Sequence, residues 1–243
     1  CAIFFDSTSF YIKEKLLEEG IPFVLKDKQV YLPFIGYLLS NENERKISPV
    51  HLISFLTQKV ILVAIYEKWE NVTASKAAIR LGVTKMSANR CFDEIEYLNV
   101  DILGMKGKSR VITVPADIQK LWNDVRVILR NPVIARYELK EDIQLGKKAG
   151  ITALCEYSLL SDNEYPTYAI TKKEITESGI RKMKQVHSGE EIGCVVLELG
   201  YFIDFKNKKL EDPLSVTLSL TESEKQDERI GISIKRMLEE YVW

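Results

Sequence analysis

Histidine is nearly absent. His51 and His187 are the only two in the chain and stand far apart, so a zinc centre of the usual Cys/His type has too few ligands. The four cysteines, Cys1, Cys91, Cys155 and Cys194, form no Cys-x-x-Cys and lie far from one another. Three of them sit among apolar residues, the usage of a reducing compartment rather than of a disulfide scaffold. No apolar run approaches the ~18–20 residues a membrane span requires, and no signal peptide is visible. The expectation is a soluble, cytoplasmic protein without membrane association. The first residue is Cys1 rather than methionine, as in a fragment or a trimmed start. An excess of one charge is missing too: 34 Lys and Arg face 35 Asp and Glu, a net of −1. Global basicity therefore says nothing about nucleic acid, and charge has to be read locally.

What is present is ordinary folded composition, 46% hydrophobic and 28% charged over 243 residues, enough for one large domain or two small ones. Three textures follow one another. Residues 1–56 read as a helix over 9–19 stopped by Gly20, then strands over 22–25 and 29–33, with a charged loop over 41–46. Residues 57–131 turn helical: an apolar helix leading to Trp69, a second helix over 74–81, and a third over 85–98. Two short strands over 101–104 and 110–114 come next, and after Pro115 a helix over 116–130. Residues 132–243 are mixed, with helices over 149–160 and 224–243. Strands are expected over 168–170, 194–205 (two, meeting near Gly200) and 214–220. The fold class predicted is α+β: a small N-terminal α/β element, a central winged helix-turn-helix and a C-terminal α+β domain.

The middle region carries the functional signal. Helix, helix, tight turn, helix and two-stranded hairpin is the order of a winged helix-turn-helix. Ala78 is small where the second helix meets the third, Gly82 can take the positive φ of the turn, and Val83 fills the space beneath it. Thr84 can cap the third helix and offer its hydroxyl to a phosphate. The apolar face of that helix is Ala88, Cys91, Phe92, Ile95 and Leu98. Its other face carries Lys85, Met86, Ser87, Asn89 and Arg90, of which Arg suits guanine and Asn suits adenine. Lys106, Lys108 and Arg110 are alternate residues expected on one side of the hairpin, where they would grip phosphate. Between residues 57 and 131 twelve Lys or Arg outnumber eight Asp or Glu. The competing reading of this region is a plain helical bundle with a solvated charged face.

The run from Ala77 through Gly82, Thr84 and Ser87 to Arg90 resembles the helix-turn-helix of MarR-like winged-helix transcriptional regulators. Ala78 stands four before Gly82, Thr84 caps the reader helix, and Ser87 and Arg90 match its Ser/Thr-x-x-Arg turn. Ala88 replaces the usual valine or isoleucine. Further on, residues 147–160 and 165–170 resemble the C-terminal region of AbiEi-type antitoxins. Asp212-Pro213-Leu214-Ser215 and Asp227-Glu228-Arg229 look like further parts of that group. The resemblance implies a protein that binds double-stranded DNA, represses its own operon and opposes a nucleotidyltransferase-like toxin, with no cofactor.

The expected function is thus sequence-specific DNA-binding regulation rather than catalysis. Thr84, Lys85, Ser87, Asn89 and Arg90 form the reader helix, and Lys106, Lys108 and Arg110 the wing. The partners would be duplex DNA, a second copy or a toxin. One enzymatic alternative is a metal-dependent nuclease, since Glu198 and Asp204-Phe205-Lys206 echo an Asp…(Asp/Glu)-x-Lys set. It lacks a clear further carboxylate.

Overall fold

The computed structural model describes residues 2–5, 12, 15–16, 19–26, 29–33, 37–40, 53–161, 164–183, 185–186, 190–206 and 209–243. The chain divides into two units, 1–51 and 52–243. Among the described residues it is a mixed α+β protein with nine α-helices and three small sheets. No helix among them is long and apolar enough to cross a membrane.

The first unit is a four-stranded sheet in the order β1-β2-β3-β4, built from Ile3–Phe5, Phe23–Leu25, Gln29–Leu32 and Tyr37–Ser40. β1 runs parallel to β2 and the other pairs are antiparallel. The hairpin over 22–33 follows the sequence reading, whereas β1 and β4 were not expected. Most of the helix expected over 9–19, and all of the charged run over 41–46, lie outside the described residues.

The second unit is organised around α1 (Phe55–Glu67). Val60 through Ile65 are all buried, the mark of a helix enclosed on every side rather than amphipathic. β5 (Val72–Thr73) leads into α2 (Ala74–Leu81) and α3 (Lys85–Tyr97). β6 (Leu103–Lys106) and β7 (Ser109–Ile112) complete a three-stranded antiparallel sheet in the order β5-β7-β6. α4 (Ile118–Val125) is shorter than the helix expected over 116–130. Its continuation is captured by α1: Gln58 Oε1 accepts the Arg130 N–H at 3.0 Å, and the Arg130 guanidinium lies 3.9 Å over the Phe55 ring.

The remaining chain forms a second sheet, β8-β11-β10-β9, from Val133–Leu139, Cys194–Leu199, Thr167–Ile170 and Lys147–Lys148. β10 and β11 are parallel and the outer pairs antiparallel. All six residues of β11 are buried, as a strand with neighbours on both edges and cover on both faces requires. The long strand run expected to reach residue 205 stops at Leu199. At Gly200 a Cβ would sit 2.5 Å from the Phe55 ring, so the chain leaves the sheet through a passage only glycine fits. α5 (Gly150–Tyr157) and α6 (Lys172–Ser178) pack beside this sheet.

The clearest correction falls on residues 214–220, expected as a strand. They form α7 (Pro213–Ser219), with Asp212 as N-cap and Pro213 in its first turn. This is the usual chemistry of a helix start. Thr217 and Ser219 are tolerated inside because their hydroxyls bond to the helix itself: Thr217 to Pro213 O at 3.0 Å, Ser219 to Val216 O at 3.0 Å. α8 (Glu222–Lys225) and α9 (Glu228–Tyr241) end the chain, so the helix expected over 224–243 is two. One apolar core joins α1 to α4 with Leu154, Leu214, Met237 and Leu238. The boundary placed between 131 and 132 from sequence lies inside this unit.

Candidate nucleic-acid interface

The α2–α3 corner is built as local chemistry dictates. Thr73 caps α2, and its hydroxyl accepts the Lys76 N–H at 3.4 Å. Gly82 ends the helix at φ 65°, and the Val83 N–H returns to Ala78 O at 3.0 Å. Val83 is half-buried against the core. Thr84 then caps α3: its Oγ1 accepts the Ser87 N–H at 3.1 Å and lies 2.9 Å from Ser87 Oγ. Ala78 and Ala88 are both buried between the helices, where a longer side chain would force them apart.

The acids of α3 are engaged by neighbouring elements. Glu94 takes the N-terminus of α1: its Oε1 accepts the Ser54 N–H and its Oε2 the Ser54 hydroxyl, each at 2.7 Å, and Thr57 Oγ1 also donates to Oε2. Asp93 and Glu96 take Arg110 of β7, with N–O distances of 2.7 and 2.8 Å. These acids hold the Arg110 guanidinium above its ordinary range against the opposing effect of burial. Glu67 similarly pairs with Arg80 of α2 and accepts the Trp69 indole N–H at 2.8 Å.

The cations at the front have no such attachments. Lys85 and Arg90 on α3, and Lys106 and Lys108 on the hairpin, are exposed. Among the described residues none makes a side-chain hydrogen bond or ion pair. Asn89 is half-buried and, among the described residues, its side chain makes no hydrogen bond, while the Ser87 hydroxyl is turned to Thr84. A surface whose acids are engaged within the fold, and whose cations are not, leaves those cations available to an anion.

The hairpin differs from the sequence expectation. Lys106, Lys108 and Arg110 do not alternate along one strand. Lys106 ends β6, Lys108 lies in the turn and Arg110 belongs to β7. The turn falls at Gly107, which holds the positive φ (61°) that a two-residue hairpin loop needs at its first position. Lys106 therefore pairs with Ser109 across the hairpin. Arg110 points back to α3 and fixes the hairpin against that helix. The roles of Asp93, Glu94 and Glu96 carry no sequence signal, since their partners lie on other elements.

The nuclease residues do not converge. Glu198 is buried, receiving the Tyr137 hydroxyl at 3.3 Å and Arg181 Nη2 at 3.2 Å. It shares a sheet face with Val196 and Cys194. Lys147 stands opposite Ala169 on the other face and reaches Asp204 at 3.5 Å. Lys206 Nζ lies 5.6 Å from the Phe205 ring centre and 6.0 Å from that of Tyr241. Among the described residues no group of three His, Cys, Asp or Glu could hold a metal ion. His187 lies outside the described residues.

A second polar constellation, buried and unforeseen from sequence, ties α1 to the chain beyond 132. Asp212 Oδ1 accepts the Tyr66 hydroxyl at 2.7 Å and the Ser215 N–H at 3.0 Å. Tyr201 OH accepts Gln58 Nε2 at 2.9 Å and Ser215 Oγ at 3.2 Å. α5 has no capping side chain at Ala149; Glu211 Oε2 accepts the Gly150 N–H at 3.0 Å instead. Glu211 Oε1 is buried without a partner. Burial pushes the Glu211 carboxyl up to about 8 and raises Asp212 and Tyr66 as well.

No protein-family model, curated protein or solved structure matches the chain.

Proposed function

We propose that this protein binds duplex DNA through a winged helix-turn-helix and acts as a transcriptional regulator. The element order α1-β5-α2-α3-β6-β7 supports this reading, as it is the order of that motif. The observation that carries it is the division of charge on α3: Asp93, Glu94 and Glu96 are engaged within the fold, while Lys85 and Arg90 face outward unpaired. On this reading Asn89 and Arg90 meet base edges and Lys85 meets phosphate. The Thr84 cap presents the α3 N-terminus to a phosphate. Lys106 and Lys108 follow the backbone beside the reader helix, with Arg110 holding the hairpin in place for them. The antitoxin-like form of this reading adds a nucleotidyltransferase-like toxin as a protein partner.

Enrichment of bound duplexes from a random-sequence pool by the full chain tests the proposal. A recurrent sequence motif is the expected result. Recovery of no duplex even at low salt would remove the DNA reading.

A further inference from the structure

Met86 lies at the centre of the outward face of α3. At 3.6 residues per turn, Met86, Arg90, Asp93 and Tyr97 form one stripe, directly opposite the buried Ala88, Cys91, Phe92 and Ile95. Met86 is 67% exposed, in the first turn of the helix. A long apolar side chain there gains nothing from the fold. Its flanks, Lys85 and Arg90, are the unpaired cations.

An apolar protein surface laid over Met86 would bury these two charges without compensation, at a cost that disfavours such a partner. A duplex neutralises both with phosphates while offering Met86 an apolar group. In the major groove the base edges of ordinary DNA carry one such group, the thymine 5-methyl. The flexible thioether side chain adapts to it readily. Beyond Arg90 the stripe continues to Asp93, an acid held by Arg110, so the groove-facing part of α3 is confined to its first turns, where Met86 stands.

We propose, resting on the DNA-binding reading, that Met86 selects thymine at the base pair faced by the first turn of α3 by packing on its 5-methyl group. The residue adds apolar readout to the hydrogen bonds of Asn89 and Arg90.

The test uses the full chain and the duplex recovered by enrichment, with each thymine replaced in turn by uracil. That change removes the 5-methyl group and leaves base pairing intact. One position per bound copy should lose affinity about fourfold, as for one methyl returned to water. Met86→Ala should bind the thymine and uracil duplexes alike, and Met86→Leu should keep the preference. If wild type binds every uracil duplex as well as the parent, Met86 does not read a methyl group, although DNA binding itself stands. Retention of the full thymine preference by Met86→Ala, or an enriched site without thymine, overturns the assignment equally. Absence of binding to any duplex overturns both this inference and the reading beneath it.

Discussion

The α3 surface and the junction around Glu211 and Asp212 treat charge in opposite ways. On α3 the acids pair with a cation or a helix N-terminus inside the fold, and the cations are left to solvent. At the junction two acids are buried together, with hydroxyls and backbone N–H groups as their donors. The first arrangement costs little in stability, because exposed lysines and arginines stay hydrated. It also leaves a field directed outward. The second holds α1, α5 and α7 together through hydrogen bonds whose loss strands a buried carboxylate. Buried acids tied to hydroxyls and backbone N–H groups, and unpaired surface cations, thus mark different tasks: holding the unit together, and meeting something outside it.

The sharpest way to break this contrast is to remove a junction acid. Asp212→Ala takes away the α7 cap and leaves the Tyr66 hydroxyl without its acceptor. We expect roughly 3–5 kcal/mol of lost stability in urea unfolding. The fraction still folded should bind DNA with unchanged salt dependence; a changed salt dependence would join the two regions into one device.

The pH response should be nearly as large. Glu211 ionises near 4.5 ordinarily and at about 8 in the fold, so between these values the folded chain keeps a proton the unfolded chain has released. Its contribution is fully present below the lower value, declines as pH rises and levels off above the higher one. Asp212, raised by burial, acts in the same direction. Between about pH 5.5 and 8.5 the decline should be on the order of 3 kcal/mol, and Glu211→Gln should flatten much of it. A urea midpoint that rises from pH 5.5 to 8.5 would contradict the assignment.

Smaller effects separate the roles on the surface. Arg90→Ala and Asn89→Ala should each weaken binding by about 1–3 kcal/mol and relax preference at particular base pairs. Competition among duplexes with single base changes reads this directly. Arg110→Ala should behave differently from its neighbours on the hairpin. Its partly exposed ion pairs contribute about 1 kcal/mol to stability, and on the proposed reading, in which it holds the hairpin to α3 instead of phosphate, its removal should leave the salt dependence as it was.

Local chemistry made much of α2 and α3 legible in the sequence. Thr73, Gly82 and Thr84 cap, turn and cap through bonds to residues three or four away, so the neighbouring sequence suffices. The exposed positions of Lys85 and Arg90 follow from the spacing of Ala88, Cys91, Phe92 and Ile95. Legibility ended where partners were distant. Arg110 resembled a third wing cation until Asp93 and Glu96 came within reach of it, and Gly107 decided where the hairpin turns. Alternating Leu, Ser, Val and Thr over 214–220 suggested a strand, because nothing in that pattern reports that both faces are buried. Asp212-Pro213 was the available helix signal. Glu211 as the remote cap of α5 had no signal at all, since Ala149 gives no hint of where its missing hydrogen bond is supplied.

The central claim is that the unpaired hairpin lysines beside α3 are there for phosphate. The slope of log affinity against log salt for wild type and for the Lys106→Ala/Lys108→Ala double variant tests it most directly. Each phosphate contact contributes about 0.9 to that slope on duplex DNA. The account predicts a steep wild-type slope that the double variant reduces by about 2, with the enriched sequence motif unchanged. A slope identical in the two proteins would contradict it.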